Sequence, residues 1–340
     1  MTGEGGARGW RPPVPAHADR LRWPQDFGSR FIIFVDTEEE FDWSAPFSRE
    51  ARSVHAVAAL PAMHQRFRDR GIAPCYLCDY PVVADEEAAA ILRSLMADGQ
   101  SAVGAQLHPW VNPPHLESPS ALLSFAGNLP PALEAAKLDT LTAAITHATG
   151  TAPLAFRAGR YGLGPHTLGL LVARGYRLDT SMRAFHDYSA HGGPDYRDVP
   201  SDAFRVGPGR ALIEMPLTTI YTGALRRFGS QWDAAARRWP RATGALARAG
   251  LLSRVPLTPE GVNIAEACAA VRIAVAEGPQ VLSFSFHSPS LVPGNTPYVR
   301  DGSDLRRFHH WWDTMFDLLD RLGVRATALH ELLAAADRAV

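Results

Sequence analysis

Four short polar clusters in this 340-residue chain hold side chains able to move protons or bind cations, and each follows a hydrophobic run. Asp36 and Glu38 come directly after the apolar residues 31–35. Two residues apart in an extended chain, they project on one face. Paired carboxylates so placed can divide the work of a hydrolysis, one holding a metal ion and the other taking a proton from its water. The competing reading is a solvated acidic loop, because Glu39, Glu40 and Asp42 follow. Gln106 and His108 alternate in the same way after residues 101–105, with Trp110 beyond. A neutral imidazole is a good ligand for zinc or a similar ion, whereas an amide is a poor one. A lone histidine is more often a hydrogen-bonded structural residue.

Arg157 precedes Ala158 and Gly159, which leave room for a close backbone turn. A buried guanidinium there needs a carboxylate. Asp179, at the end of the next apolar run, is the natural candidate, either to orient a catalytic acid or as a structural ion pair. His287 follows residues 281–286, and an imidazole at that point suits a general acid that protonates a leaving amine.

The elements that must position these residues read as alternating strands and helices. Short apolar runs predict strands over 31–35, 72–77, 101–107, 153–156, 176–178, 211–215, 281–286 and 324–328. Amphipathic stripes closed by glycine predict helices over 61–70, 132–149 and 165–174, another capped by Asp85, and a long one through Leu305 to Leu322. Asp79, Tyr80 and Pro81 read as a turn. At least six alternations argue for parallel βα units, and polar residues released at strand ends place chemistry at a barrel mouth. Residues 31–340 then form a single barrel domain. Residues 1–30, rich in Gly, Pro and Arg, read as an irregular arm, and 181–263 as an irregular excursion on the barrel.

Net charge is −1, with 34 basic and 35 acidic residues, so no electrostatic footprint for nucleic acid is present. No apolar run approaches the ~20 residues of a membrane helix, so no membrane insertion is expected. The first 30 residues contain no apolar signal segment, and three cysteines make no disulfide framework, so a cytoplasmic setting is expected. Cys75 and Cys78, three apart on a strand, face opposite sides and cannot meet. His309, His310, Trp311 and Trp312 read mainly as helix packing.

In this order the clusters resemble the polysaccharide deacetylases, the NodB-homology group of carbohydrate esterases, over residues 31–332. The second cluster, Gly104 to Trp110 followed by Pro113 and Pro114, looks like a subgroup with a His-x-His-Pro-Trp motif; its first histidine is Gln106 here. The third looks like Phe156 to Gly162, the fourth like Asp179 to Ser181, and the last like Ser285 to Pro289. The resemblance implies a distorted (β/α) barrel of about seven parallel strands. It also implies metal-assisted removal of an N-acetyl group from a carbohydrate. Asp36 would be the base, His287 the acid, and Arg157 paired with Asp179 would hold Asp36 ionised. Glu38, His108 and the Gln106 position would hold a divalent ion, zinc in the first place, and His115 could fold back as a further ligand. Trp43, Trp110 and Tyr161 would stack on sugar rings. The expected substrate is a cytosolic glycan precursor. The alternatives are a carbohydrate-binding barrel without turnover and an amidohydrolase acting on a non-sugar C–N bond.

Overall fold

The structure, a computed structural model, describes residues 9–236 and 240–339. In chain order the strands are β1 (Arg30–Thr37), β2 (Cys75–Cys78), β3 (Ala102–Leu107), β4 (Ala155–Ala158), β5 (Leu178–Asp179), β6 (Phe204–Val206), β7 (Leu212–Glu214), β8 (Thr219–Thr222), β9 (Ser253–Pro256), β10 (Val281–His287) and β11 (Arg325–Ala326). The helices are α1 (Leu60–Arg68), α2 (Tyr80–Ala84), α3 (Glu86–Met96), α4 (Pro131–Thr149), α5 (Thr167–Ala173), α6 (Gly229–Ala236), α7 (Pro240–Arg248), α8 (Ile264–Glu277), α9 (Gly302–Arg321) and α10 (Leu329–Asp337).

The main sheet runs in the order β10-β1-β2-β3-β4-β5-β7-β6, with β11 also on β1. Its pairings are parallel from β10 through to β7, and only β6 returns antiparallel. The sheet curls into an incompletely closed (β/α) barrel, as the strand–helix alternation predicts. β1 is buried along nearly its whole length because both of its faces are covered. Phe31, Ile33 and Val35 pack outward into the large cluster shared with α1, α3 and α9, whereas Ile32 and Phe34 pack inward with Cys75, Leu77, Ala155 and Leu178. The same alternation separates Cys75 from Cys78. Trp23 and Phe27 of the N-terminal segment join the inner cluster.

Local signals account for most element ends. Asp85 accepts the backbone N–H of Ala88 and starts α3, and Asp301 accepts those of Ser303 and Asp304 and starts α9. α4 begins on Pro131 and ends at Gly150, which takes up a left-handed φ of 75°. Its expected stripe of Leu133, Leu138, Leu141, Ile145 and Ala148 is buried. No helix among the described residues is long and apolar enough to cross a membrane.

Several expectations move. β2 starts at Cys75 rather than residue 72, because the Ile72 N–H is taken by the Phe67 carbonyl at the end of α1 and Pro74 has no N–H to pair. The turn expected at Asp79 is the cap of α2, with Asp79 accepting the Val82 N–H at 3.1 Å. β4 lies two residues later than expected, so Arg157 sits within the strand and not after it. Residues 181–263 carry β6 to β9, including the separate antiparallel pair β8–β9. Strands of three or four residues are too short for alternation to register in a sequence.

Candidate active site

The parallel register sets Asp36 beside His287 and Gln106 beside Arg157 at one rim of the sheet. There they line a cavity of about 250 Å³ together with Glu38, His108, Ser285 and Glu260. Trp43, Trp110 and Tyr161 also line it, with Tyr188 and Tyr298. Glu38 and Glu39 are buried and Glu40 half-buried, so of the acidic run after β1 only Asp42 is exposed to solvent.

Asp36 is held from one side by Arg157, whose Nη1 donates to Oδ1 at 2.6 Å and to Oδ2 at 2.8 Å. The guanidinium is fixed in turn by Ser285 Oγ at 2.6 Å, by the Thr180 carbonyl at 3.1 Å and by Thr180 Oγ1 at 3.0 Å. Two buried charges thus neutralise each other with their remaining donors satisfied, the condition under which such a pair survives burial. This corrects the expected pairing of Arg157 with Asp179. Asp179 is in register with Phe156 and so shares its outward face, while Arg157 points inward. Asp179 is buried away from the cavity, bonded to the Ser181 N–H at 3.2 Å and to the Ser181 hydroxyl. Burial raises the pKa of both Asp179 and its neighbour Glu214. His115 is likewise absent from the cavity lining and lies near Lys137 and Arg49.

His287 faces Asp36, with Nε2 3.5 Å from Oδ2. Behind it stands Glu260, which sequence reasoning missed. Its Oε2 lies 2.6 Å from His287 Nδ1, and its Oε1 accepts the His287 N–H at 3.1 Å and the Ser290 hydroxyl at 2.5 Å. Burial alone would lower the imidazole pKa, but the charges of Glu260, Glu38 and Asp36 outweigh it and raise it to about 10. Glu260→Gln is therefore expected to lower the His287 pKa by about one unit or more, followed by NMR titration of the imidazole. An unchanged titration would remove Glu260 from this role.

The third group is organised around His108. Its Nδ1 lies 2.8 Å from Glu39 Oε2, and Trp110 Nε1 donates to Glu39 Oε1 at 2.8 Å while its ring stacks on the imidazole at 4.4 Å. The Glu39 N–H donates to Asp79 Oδ2 at 3.0 Å. Burial pushes the Glu39 carboxyl up to about 8 and Asp79 well above its usual range, so the two neighbours are not both ionised at neutral pH. Glu39, Asp79 and His108 form a buried group whose ligand atoms lie within 4.8 Å of one another and that could hold a metal ion. As they stand, the acceptor on Nδ1 puts the ring proton there and leaves the Nε2 lone pair facing the cavity. Only glycine fits at position 159, because a Cβ there would meet His108 Cδ2 at 2.3 Å.

At Nε2 the chain does something the residue types did not foretell. Gln106 Nε2 donates to Glu38 Oε2 at 3.0 Å and lies 3.2 Å from His108 Nε2, so one amide NH₂ bridges the two. Gln106 Oε1 is buried without a hydrogen-bond partner. Burial raises Glu38 to about 7, partly offset by His287 and His108.

No family model and no curated protein matches this chain. Solved structures do. A candidate polysaccharide deacetylase from Mycobacterium smegmatis aligns over 95% of this chain and 94% of its own at 14% identity, with a TM-score of 0.53. A 4-alpha-glucanotransferase from Thermococcus litoralis aligns over 90% of this chain and 40% of its own at 10% identity, with a TM-score of 0.51. A candidate polysaccharide deacetylase from Pseudomonas aeruginosa PAO1 aligns over 90% and 89% at 15% identity, with a TM-score of 0.46. The fold is thus a NodB-type (β/α) barrel. The Mycobacterium smegmatis and Thermococcus litoralis structures are differently described enzymes on a similar scaffold, so the reaction must be argued from the site.

Proposed function

We propose that the cavity is the active site of a hydrolase that removes an acyl group from nitrogen, with an N-acetylated amino sugar as the substrate. The observation that carries this reading is the Asp36–His287 pair, held from opposite sides by Arg157 and Glu260. Asp36 takes a proton from water as its oxygen bonds to the acyl carbon. His287, charged at neutral pH, gives a proton to the amine as the C–N bond breaks. The products are a carboxylic acid and a free amine. With Nε2 3.5 Å from Oδ2, the proton gained by Asp36 can return to His287 and restore both groups. The rings of Trp43 and Tyr298, 5.9 Å apart, and of Tyr161 give the apolar walls on which a sugar face stacks.

The donor set fits a divalent ion. Glu38 offers a carboxylate oxygen and His108 a lone pair on Nε2, and the unpartnered Oε1 of Gln106 becomes a third donor if the amide turns over. Bound there, an ion such as zinc would polarise the acyl carbonyl and acidify water. The second reading, sugar binding without turnover, is favoured by one fact: the Gln106 NH₂ group already fills the point between Glu38 and His108.

The test is incubation of the protein, with zinc, cobalt or manganese added, with a panel of N-acetylated sugars and simple N-acetyl amides. Equal release of acetate and free amine is expected from a sugar. Release from the non-sugar amides alone would move the assignment to an amidohydrolase, and sugar binding with no release would leave the binding reading.

A further inference from the structure

The charges lining the cavity do not balance. Asp36 is neutralised by Arg157 and Glu260 by His287, and Glu38, bonded to the Gln106 amide, is the one carboxylate of the lining left over. Two further guanidinium groups line the same cavity, Arg160 and Arg183, and neither has a carboxylate partner among the described residues. Arg160 Nη1 donates to the Ala121 carbonyl at 3.1 Å and to Ser124 Oγ at 2.6 Å, and its charge lies 4.0 Å from the centre of the Phe125 ring. Arg183 has less. Its Nη1 donates to the Tyr188 hydroxyl at 3.3 Å, its charge lies 5.6 Å from the Tyr161 ring centre, and its Nε is buried with no partner. A buried donor on a charged group costs stability unless something accepts from it.

The position of Arg183 is as informative as its missing partner. It lines the catalytic cavity and also an adjoining one of about 420 Å³ that runs past Glu260, His186 and Tyr221. The backbone beneath the neighbouring Tyr161 ring, 5.6 Å from the Arg183 charge, is strained. Arg160 and Tyr161 hold φ of 57° and 58°, a left-handed conformation rare for bulky side chains, and both face the cavity.

We infer that the substrate carries an anionic group, a carboxylate or a phosphate monoester, and that Arg183 binds it at the wall between the two cavities. This rests on the proposed reading of the cavity as an acyl-amine site and adds the substrate's charge. A guanidinium is suited to both anions because its planar fork matches either one bidentately. With the anion at Arg183, the acyl group falls toward Asp36 and His287, and the aromatic walls hold the ring between.

Isothermal titration with three probes tests this: N-acetylglucosamine, its 6-phosphate, and N-acetylmuramic acid, which carries a carboxylate. At least one anionic probe is expected to bind about tenfold or more tightly than the neutral sugar. Phosphate and carboxylate are separated by which one does so. In Arg183→Met the ratio of anionic to neutral sugar affinity is expected to fall to about one. Arg183→Lys, which keeps the charge on a long side chain, is expected to keep part of the advantage and guards against misfolding of the methionine variant. An anionic advantage that survives Arg183→Met, or equal binding of all three probes, overturns the inference and leaves the amino-sugar reading standing. Binding of none overturns both.

Discussion

Asparagine at position 36 is expected to lower amine release by about 10²–10⁴-fold, the usual contribution of a positioned general base. The substitution keeps the shape of the side chain and one oxygen for Arg157 Nη1, so the cavity should still bind substrate and KM should change little. The cost to the fold needs separate measurement. Arg157 is 1% exposed, and an amide leaves its charge uncompensated. Removing one partner of such a pair costs about 3–5 kcal/mol. The contacts of the guanidinium with Ser285 and Thr180 persist and should keep that loss at the lower end. The double variant Asp36→Asn with Arg157→Met separates the two effects. It removes the orphaned charge, so stability in urea should recover relative to Asp36→Asn alone, while activity stays lost. Recovery of activity in the double variant, or near-wild-type rates in Asp36→Asn, would take Asp36 out of the base role.

The same residues explain what sequence reasoning could reach. The hydrophobic runs and polar ends of β1, β3, β4 and β10 are legible in the sequence, those of β6, β8 and β9 are not, and it is the pairing of β1 with β10 that sets Asp36 beside His287. Arg157 is legible as a site residue, but its partner is not, because the sequence does not show the register between β4 and β5. The two-residue shift of β4 leaves each side chain on its face, but Phe156 is level with Asp179, so the inward neighbour of Arg157 is Thr180, just past β5. Glu260 carried no signal at all. It sits in a loop between Pro259 and Gly261, and only the fold brings it to His287, 27 residues later in the chain. Glu39 and Asp79 were hidden differently: an acidic run and a turn are their common settings, and only burial under Trp110 and α2 makes them the support of His108. A contact made across the sheet between loops is a tertiary fact, and no local pattern encodes it.

Gln106 is the position where sequence and geometry meet, and replacing it by histidine is expected to raise zinc affinity by about 100-fold or more. Two causes act in the same direction. A third imidazole or carboxylate donor completes the ligand count usual for catalytic zinc, whereas an amide oxygen is a weak donor to that ion. The wild-type amide also competes. Its hydrogens already serve Glu38 Oε2 and His108 Nε2 at 3.0 and 3.2 Å, and an ion must displace them. Hydrogen bonds to a charged acceptor are the stronger kind, so the displacement is costly. The competition has a consequence for metal removal that affinity alone does not. A chelator should lower the melting temperature of the zinc-loaded Gln106→His protein by several degrees, because stripping the ion leaves Glu38 and His108 with no cation between them. The wild type should hardly shift, since its own NH₂ group takes up the same position when the ion leaves. Calorimetric titration with zinc and thermal melts with and without chelator check both statements. Equal zinc affinity in the two proteins would mean that the ion, if it binds, sits elsewhere, with the Glu39–Asp79–His108 group the next place to look.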